Sequence, residues 1–251
     1  MAMIKIGILG AAGRMGQMLV REVAGGQGIS LAAAADVAGH AAIGKDAGSL
    51  AGLSPLGVVV THDVEALFDA ADVAIDFTLP AGTAAHVKLA GATKTPIVIG
   101  TTGLGRAEEK VLAEAAKVIP IVQAPNMSLA VNLLFALTEK AARALDESYD
   151  VAISETHHRH KVDAPSGTAL ALRAAAEAGG RERDAITMTA IRAGDIVGEH
   201  SVFFTGEGER LTLKHEATSR VVFARGAVHA ARWVLGKSPG RYNMRDVLDL
   251  G

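Results

Sequence analysis

The chain has 251 residues, of which 49% are hydrophobic and 21% are charged, and its formal net charge at pH 7 is −2. This composition is typical of a folded protein of one large or two modest domains and excludes a disordered chain. The small net charge predicts no general attraction to nucleic acid or membranes, and the absence of cysteine excludes disulfides and thiol catalysis. With no signal-peptide pattern and no apolar run that could span a bilayer, we expect a cytoplasmic protein.

The first residues predict a dinucleotide-binding turn. Ile4–Leu9 reads as a short buried strand, and a helix follows the sequence Gly10-Ala11-Ala12-Gly13-Arg14-Met15-Gly16. A strand, a glycine turn and a helix bring backbone N–H groups up to a dinucleotide pyrophosphate. Gly10 permits the tight turn, while Gly13 and Gly16 allow the phosphate and the neighbouring strand to approach. Because the spacing is G-x-x-G-x-x-G and not the commoner G-x-G-x-x-G, a purely structural turn stays an alternative.

An acidic residue after the second strand supports this interpretation. Ile29–Ala35 is a second apolar run, and it ends at Asp36. An acid at this point is placed to accept hydrogen bonds from the adenosine ribose hydroxyls, although a solvated aspartate in a turn is the alternative. Val37 occupies the position where an enzyme that binds a 2′-phosphate would place an arginine. The pair therefore favours NADH over NADPH, with Arg14 or Lys45 as groups that could still reach a phosphate.

Strands and helices then alternate, which predicts an α/β, Rossmann-like, doubly wound parallel sheet that binds ligands at the carboxyl ends of its strands. The predicted strands are Val58–Val60, Val73–Phe77, Pro96–Ile99 and Ile119–Gln123. The predicted helices are Asp63–Asp69, Pro80–Ala92 and Leu104–Lys117. The polar residues at the strand ends are candidates to contact nicotinamide and ribose, although each also fits a helix cap or a turn: Thr78, Thr101, Thr102 and Asn126.

The second half predicts a domain of α+β type with a mixed sheet. A long helix, Leu129–Leu145, and a strand, Tyr149–Ile153, lead into a helix over 166–178. Three strands follow: Ile186–Ile191, Gly198–Thr205 and Glu209–Ala217. We expect a helix over Val221–Leu235 to pack across this sheet and Lys237–Gly240 to form a hinge. The predicted domains are 1–127 plus 237–251 and, between them, 128–236.

The segment Ser154–Thr168, S-E-T-H-H-R-H-K-V-D-A-P-S-G-T, places five cationic or protonatable residues in a row: His157, His158, Arg159, His160 and Lys161. It joins a strand end to a helix N-terminus, whose N–H groups and dipole attract anions. Histidine titrates near neutral pH, so the segment predicts an anionic-substrate site with proton chemistry. A solvated surface loop is one alternative. The other is a metal site built from the three histidines with Asp163 or Glu155, although this spacing differs from that of usual zinc sites.

These residues resemble the 4-hydroxy-tetrahydrodipicolinate reductase family, also called dihydrodipicolinate reductase, of bacterial lysine and diaminopimelate synthesis. The resemblance covers nearly the whole chain, and its most specific part is E155-T-H-H-R-H-K-V-D-A-P-S-G-T168. Supporting matches are G10-A-A-G-R-M-G16, D76-F-T78, G100-T-T-G103, A124-P-N-M-S128, R192-A-G-D-I-V-G-E-H200 and M244-R-D-V-L-D-L250.

The resemblance implies an NAD(P)H-dependent reduction of a small cyclic imine dicarboxylate. Domain 1–127 plus 237–251 would bind the dinucleotide, and domain 128–236 would bind substrate and join a homotetramer. His157 would be the proton donor or acceptor and Lys161 a second proton donor. His158, Gly167 and Thr168 would bind the substrate carboxylates, with no metal involved. The implied cofactor residues are Gly10, Ala11, Ala12, Gly13, Arg14, Met15, Asp36, Gly100, Thr101, Thr102, Ala124, Pro125, Asn126 and Met127.

The sequence departs from the family pattern in two places. Gly179–Thr189 replaces a longer loop of the family, which affects the edge of the second sheet, the lid over the site and the tetramer contacts. Val37 replaces a basic residue found in some relatives, in line with a preference for NADH. Two functional alternatives remain: an inactive or regulatory paralogue that binds cofactor without turnover, and a reductase of another cyclic imino acid.

Overall fold

A computed structural model gives the structure of the protein and describes residues 3–250. The chain folds into two compact units. The first contains the residues up to Met127 together with Phe223–Val247, and the second contains Ser128–Val222 and the last residues from Leu248. Each unit has a sheet and a hydrophobic core of its own.

The strands and helices agree closely with the alternation predicted above. The strands are β1 (Ile4–Leu9), β2 (Ile29–Ala35), β3 (Val60–Thr61), β4 (Val73–Asp76), β5 (Ile97–Ile99), β6 (Pro120–Gln123), β7 (Asp150–His157), β8 (Ile186–Arg192), β9 (Gly198–Gly206), β10 (Glu209–Ala217) and β11 (Gly240–Tyr242). The helices are α1 (Arg14–Ala24), α2 (Ala47–Leu50), α3 (Val64–Ala70), α4 (Pro80–Thr93), α5 (Arg106–Ala115), α6 (Leu129–Ala144), α7 (Gly167–Ala178), α8 (Val221–Val234) and α9 (Met244–Val247), with a 3₁₀ turn at Arg183–Ala185. Within residues 3–250, no helix is long and apolar enough to cross a membrane.

The sheet of the first unit is parallel throughout and has the strand order β11-β6-β5-β4-β1-β2-β3. The chain winds outward in both directions from the centre of this order, so the predicted Rossmann-like, doubly wound sheet is confirmed. The side chains of Ile6 and Ile8 in β1 and of Ile97–Ile99 in β5 are completely buried. Strands covered on both faces read as continuous apolar runs, which is why the sequence identified them.

The sheet of the second unit has the order β10-β9-β7-β8. Strand β7 is parallel to β8 but antiparallel to β9, so the predicted mixed sheet of an α+β unit is also confirmed. Val151 and Phe204 on one face of this sheet pack with Leu134 of α6 and Leu172 of α7. Ser128 and Ser166 cap these two helices by accepting hydrogen bonds from Val131 N and Ala169 N.

Helix α8 was predicted as part of the second domain, but from Phe223 onward it belongs to the first unit. Gly226 explains the close fit there, since a Cβ at this position would lie 1.6 Å from the carbonyl oxygen of Met127. The return to the first unit thus comes at residue 223 instead of the predicted 237. The assignment of cofactor and substrate to the two units stays a prediction.

Two further predictions need correction. The proposed hinge Lys237–Gly240 runs into strand β11, which pairs with β6 and extends the first sheet. Strand β7 does not end at Ile153 but continues to His157, because Glu155 and His157 keep the alternation of buried residues. His157 therefore lies at the end of a strand and not in a surface loop.

Candidate active site

The glycine turn after β1 has the backbone that the sequence predicted. Gly10 has a φ of 74°, in the left-handed region that residues with a Cβ disfavour. The N–H groups of Gly10 and Ala11 both donate to the carbonyl oxygen of Ala35, at 2.9 and 3.0 Å. A Cβ on Gly16 would lie 2.1 Å from the carbonyl oxygen of Gly10. The turn therefore needs glycine at both positions.

Helix α1 begins at Arg14, directly after this turn. Its N-cap residue is Gly13, so no side chain caps the helix in the described structure. Gly13 and Arg14 are exposed and Met15 is half-buried. Unpaired N–H groups at a helix N-terminus form a site for phosphate, so this end of the helix fits a pyrophosphate.

Asp36 takes part in the turn as well as facing the space beside it. Its carboxylate accepts hydrogen bonds from Ala12 N and Val37 N, both at 2.8 Å. Each carboxylate oxygen can accept more than one hydrogen bond, so Asp36 can brace the glycine turn and still bind ribose hydroxyls. The side chain of Val37 is 69% exposed and offers no charge to a 2′-phosphate.

A cavity of about 560 Å³ opens beside Gly10, Gly13 and Asp36. Its walls are mainly apolar, and its size and its glycine-lined entrance fit the adenosine side of a dinucleotide. Its lining includes Val37 and Thr78, which the sequence singled out, and further residues to which sequence reasoning gave no role: Leu9, Ala35, Ala38, His40, His62, Val64, Phe77, Leu79, Ala81, Gly82 and His86. Most of these follow the carboxyl ends of β2, β3 and β4, and that position is the signal that could have identified them.

The remaining predicted cofactor residues lie at the carboxyl ends of β5 and β6. Gly100 lets the ring of Phe77 approach, since a Cβ there would lie 2.2 Å from its Cζ. The buried Thr101 hydroxyl donates to the carbonyl oxygen of Thr78 at 3.0 Å. Thr102 is exposed. After β6, Ala124 and Met127 are buried, Asn126 is half-buried and Pro125 is exposed. These residues do not line the described cavity, so their cofactor role stays a prediction.

In the second unit, His157 lies at the end of β7 and is 8% exposed. Its Nδ1 lies 2.5 Å from Oε2 of Glu155, a carboxylate that is 1% exposed. Arg192, at the end of the paired strand β8, donates to both oxygens of Glu155, at 2.9 and 2.8 Å. Ser166 N, at the start of α7, donates to Oε1 at 3.1 Å. Glu155 thus joins β7, β8 and the N-terminus of α7.

The electrostatics of this network follow from burial and pairing. Burial works against ionisation of Glu155, but hydrogen bonds from Arg192 and His157 outweigh it and lower the pKa of this carboxyl. Burial lowers the pKa of His157, while the hydrogen bond and charge of Glu155 act in the opposite direction. The net effect is a lowered pKa of His157, because burial outweighs the hydrogen bond and charge of Glu155.

The other residues of the predicted cation cluster have contacts different from those of His157. His158 is half-buried, and its Nε2 lies 3.5 Å from a terminal guanidinium nitrogen of Arg220. His160 is exposed, with its ring 6.4 Å from that of His158. The ammonium group of Lys161 forms an ion pair with Asp163 at 2.8 Å. The three histidines do not converge on one point, and across residues 3–250 no group of three or more His, Asp or Glu side chains is arranged to hold a metal.

Gly167 and Thr168 form the first turn of α7, directly after Ser166. Gly167 is exposed, and a Cβ on it would meet no atom within 4 Å. Thr168 is half-buried. The two residues present the exposed start of a twelve-residue helix next to the buried network of Glu155. Their predicted contact with carboxylates suits this position but stays untested.

Sequence reasoning left two histidines near His157 without a role: the buried His200 and the half-buried His215. The ring of His200 on β9 meets that of His157 edge-on at 5.1 Å, and His215 on β10 stacks on His200 at 6.5 Å. Burial, followed by the charge of His157, lowers the pKa of His200 to about 4, so this ring is neutral at physiological pH. The matched stretch R192-A-G-D-I-V-G-E-H200 was the signal, since it contains both Arg192 and His200.

Comparison with known proteins agrees with this arrangement. Residues 4–127 match the family described as dihydrodipicolinate reductase, N-terminus, and residues 130–248 match dihydrodipicolinate reductase, C-terminus. The chain is 52% identical to the 4-hydroxy-tetrahydrodipicolinate reductase of Alkalilimnicola ehrlichii, over 98% of this chain and 99% of that protein. It is 50% identical to the enzyme of the same name from Magnetococcus marinus, over 98% of each chain.

A solved structure gives the same result. The dipicolinate-bound dihydrodipicolinate reductase from Paenisporosarcina sp. TG-14 superimposes with a TM-score of 0.79 at 27% identity, over 96% of this chain and 97% of that one. Family matches to both halves, full-length relatives and a shared fold all agree. The chain belongs to the 4-hydroxy-tetrahydrodipicolinate (dihydrodipicolinate) reductase family and is a nicotinamide-dependent oxidoreductase.

Proposed function

We propose that this protein reduces 4-hydroxy-tetrahydrodipicolinate, a cyclic imine dicarboxylate, to tetrahydrodipicolinate, with loss of the 4-hydroxyl group as water, in lysine and diaminopimelate synthesis. A reduced nicotinamide cofactor, when bound, supplies the hydride. The chain supplies placement, charge compensation and a proton. The observation that carries this proposal is the bond network of Glu155, which holds a protonatable His157 beside the exposed start of α7.

In the proposed reaction, His157 delivers a proton through Nε2. Adding a hydride to a conjugated imine leaves negative charge that must be protonated, and a histidine whose pKa is lowered by burial gives up its proton readily in that step. Lys161 acts as a second proton donor and balances the developing charge. Its ion pair with Asp163 holds the ammonium group near the segment in which the substrate is proposed to bind.

The two substrate carboxylates bind to His158 and to the first turn of α7 at Gly167 and Thr168. The backbone N–H groups and the dipole of a helix N-terminus stabilise an anion. The relative from Paenisporosarcina sp. TG-14 was solved bound to dipicolinate, whose two carboxylates support this choice of substrate class. Arg220, close to His158, adds positive charge to the same surface.

The cofactor residues are proposed to be Gly10–Met15 and Asp36 at the glycine turn, with Gly100–Thr102 and Ala124–Met127 at the nicotinamide half. We propose NADH as the preferred form. The carboxylate of Asp36 accepts hydrogen bonds from ribose hydroxyls but repels a 2′-phosphate. The exposed Val37 offers no positive charge to compensate for that repulsion.

The proposal also includes assembly and location. We propose a homotetramer joined through the sheet of the second unit, acting in the cytoplasm without nucleic-acid or membrane partners. The outward face of this sheet supports the assembly, since it carries Phe203 and the half-exposed Ile191 among small and polar side chains. Light scattering of the purified protein measures the assembly directly.

The test of the function is oxidation of NADH in the presence of freshly synthesised 4-hydroxy-tetrahydrodipicolinate. We expect substrate-dependent consumption of NADH and formation of tetrahydrodipicolinate. A cofactor-binding regulator would bind NADH without such consumption. A reductase of another cyclic imino acid would turn over only with its own substrate, for which a monocarboxylate imine of the same ring size is the matched comparison.

A further inference from the structure

The buried carboxylate of Glu155 accepts four hydrogen bonds from three residues. Two come from the guanidinium of Arg192, one from Ser166 N and one from His157. A carboxylate held by a guanidinium fork is ionised and can only accept hydrogen bonds. The partner atom, Nδ1 of His157, must therefore carry a hydrogen.

The other ring nitrogen of His157 has a different environment. Nε2 faces Gly198 at the start of β9, where a Cβ would lie 3.0 Å from it. Glycine at this position leaves room beside the nitrogen that exchanges its proton. The opposite tautomer would place a lone pair of Nδ1 against the anion of Glu155, so the network selects a single tautomer.

We propose that Glu155, held by Arg192, is the positioning residue of the proton-transfer site: it fixes His157 with hydrogen on Nδ1 and presents Nε2 to the substrate. This inference rests on the proposed role of His157 in the reduction. Glu155 also stabilises the imidazolium form that must exist before the proton is delivered. It touches His157 and not the reacting atoms, so it acts through the histidine.

The arrangement of strands explains why these residues meet. Side chains two residues apart on a strand share a face, so Glu155 and His157 point the same way from β7. Arg192 is the register partner of His157 on the parallel strand β8, at the same end of the sheet. The charged and titratable groups facing His157 are therefore Glu155 from its own strand, Lys161 from the segment after β7, Arg192 from β8 and the ring of His200, neutral at physiological pH, from β9.

Substitution Glu155→Gln tests the proposal, since it keeps the shape of the side chain and removes its charge. We expect kcat to fall by about 10²-fold, at the lower end of the loss of a general acid, with KM for NADH unchanged. Without the anion, His157 loses its proton more readily, so the basic limb of the kcat/KM profile should move to lower pH. Glu177→Gln, which makes the same change in an ion pair at the far end of α7, is the matched control and should leave both unchanged.

A spectroscopic measurement makes the test independent of activity. In protein labelled with ¹⁵N-histidine, the neutral form of His157 should show hydrogen on Nδ1 and a bare Nε2, with its signals assigned by their loss in His157→Gln. In Glu155→Gln the hydrogen should appear on Nε2 or be shared between both nitrogens. Hydrogen on Nε2 in the parent protein would overturn the proposal, whatever the reductase activity.

Glu155→Gln leaves Arg192 facing an uncharged partner and could prevent folding. The double variant Glu155→Gln, Arg192→Gln removes both charges, and circular dichroism checks its fold. The double variant should keep the altered tautomer and the lowered kcat. Arg192→Gln alone removes the cation that keeps Glu155 ionised and should weaken the preference for hydrogen on Nδ1. Arg192→Lys keeps a cation beside Glu155 and should retain the parent tautomer. A folded double variant with parent tautomer and parent kcat contradicts the proposal. If the tautomers behave as expected but NADH is not consumed with the substrate, the proposed function fails and the positioning of His157 stands.

Discussion

Each unit contains a buried carboxylate that is hydrogen-bonded to a histidine. The two pairs differ in the other groups that the carboxylate contacts. In the first unit, Asp76 is completely buried, and Nδ1 of His86 lies 2.9 Å from its Oδ2. Its other oxygen accepts from the backbone N and the hydroxyl of Thr78, both at 2.7 Å. In the second unit, Glu155 has the same contact with His157 but also the guanidinium of Arg192.

The difference lies in which group balances the buried negative charge. At Asp76, hydrogen bonds from Thr78 and from the histidine are the compensation that residues 3–250 provide. At Glu155, a permanent cation does so, and His157 can gain or lose a proton without leaving the carboxylate as an unbalanced charge. The first pair therefore suits a fixed structural role beside the cavity, and the second suits proton transfer.

Exchanging the two histidines for glutamine gives the largest expected contrast. His157→Gln should lower kcat by about 10²–10⁴-fold, because it removes the general acid. His86→Gln should change KM for the cofactor more than kcat, because His86 lines the cavity beside the glycine turn. Steady-state kinetics at saturating substrate measures both. Equal kcat in His157→Gln and the parent would remove the proton-transfer role.

The stability of the second unit should also depend more strongly on pH than that of the first unit. His200 has a folded-state pKa of about 4, below its ordinary value of 6.5, so the unfolded chain binds the proton more readily between these values. The neutral ring contributes stability above about pH 6.5, and up to about 3 kcal/mol of it is lost as the pH falls towards 4. Thermal unfolding from pH 7 to pH 4 should show a shallower fall of Tm in His200→Gln than in the parent. His229→Gln, at an exposed histidine of α8, should keep the parent slope.

The stability of the first unit should be sensitive to a Cβ atom added at the glycine turn. Gly16→Ala places a Cβ 2.1 Å from the carbonyl oxygen of Gly10, so the turn must move. We expect a loss of roughly 1–3 kcal/mol of unfolding free energy, typical of overpacking, together with weaker NADH binding. In Gly13→Ala the corresponding approach is 3.3 Å, and the loss should be smaller. Denaturant unfolding and NADH fluorescence titration separate the two effects, and equal losses in both variants would argue against the close-approach explanation.

The smallest expected effect concerns cofactor preference. Asp36→Ala removes the acceptor for the ribose hydroxyls and also the one for Ala12 N and Val37 N. KM should therefore rise for both cofactors, but more for NADH, since NADPH is relieved of repulsion between the carboxylate and its 2′-phosphate. Initial rates with each cofactor give the ratio, and Asp69→Ala, at an exposed position of α3, is the control. An equal rise of KM for both cofactors would show that Asp36 supports only the glycine turn and does not bind the ribose.

The sequence by itself determined the strands and helices that are buried through apolar side chains. Strands β1 and β2 have the predicted bounds, because apolar runs depend only on local residue order. The glycine turn was equally readable, since Gly10 and Gly16 meet constraints within a few residues of the chain. The family match added His157 and Lys161 as candidates without any structure.

Only the tertiary structure decided the rest. Strand β7 was predicted to end at Ile153 because Glu155 and His157 look like loop residues, and their burial is stable only because Arg192 and Ser166 N reach Glu155 from other elements. Strand β11 has three residues and little apolar pattern, so its place depends on pairing with β6. Helix α8 was visible as a helix, but its place in the first unit, where Gly226 approaches the Met127 carbonyl oxygen, depends on residues far away in the chain. Polar burial and packing partners depend on residues distant in the chain, and local sequence patterns do not encode those distances.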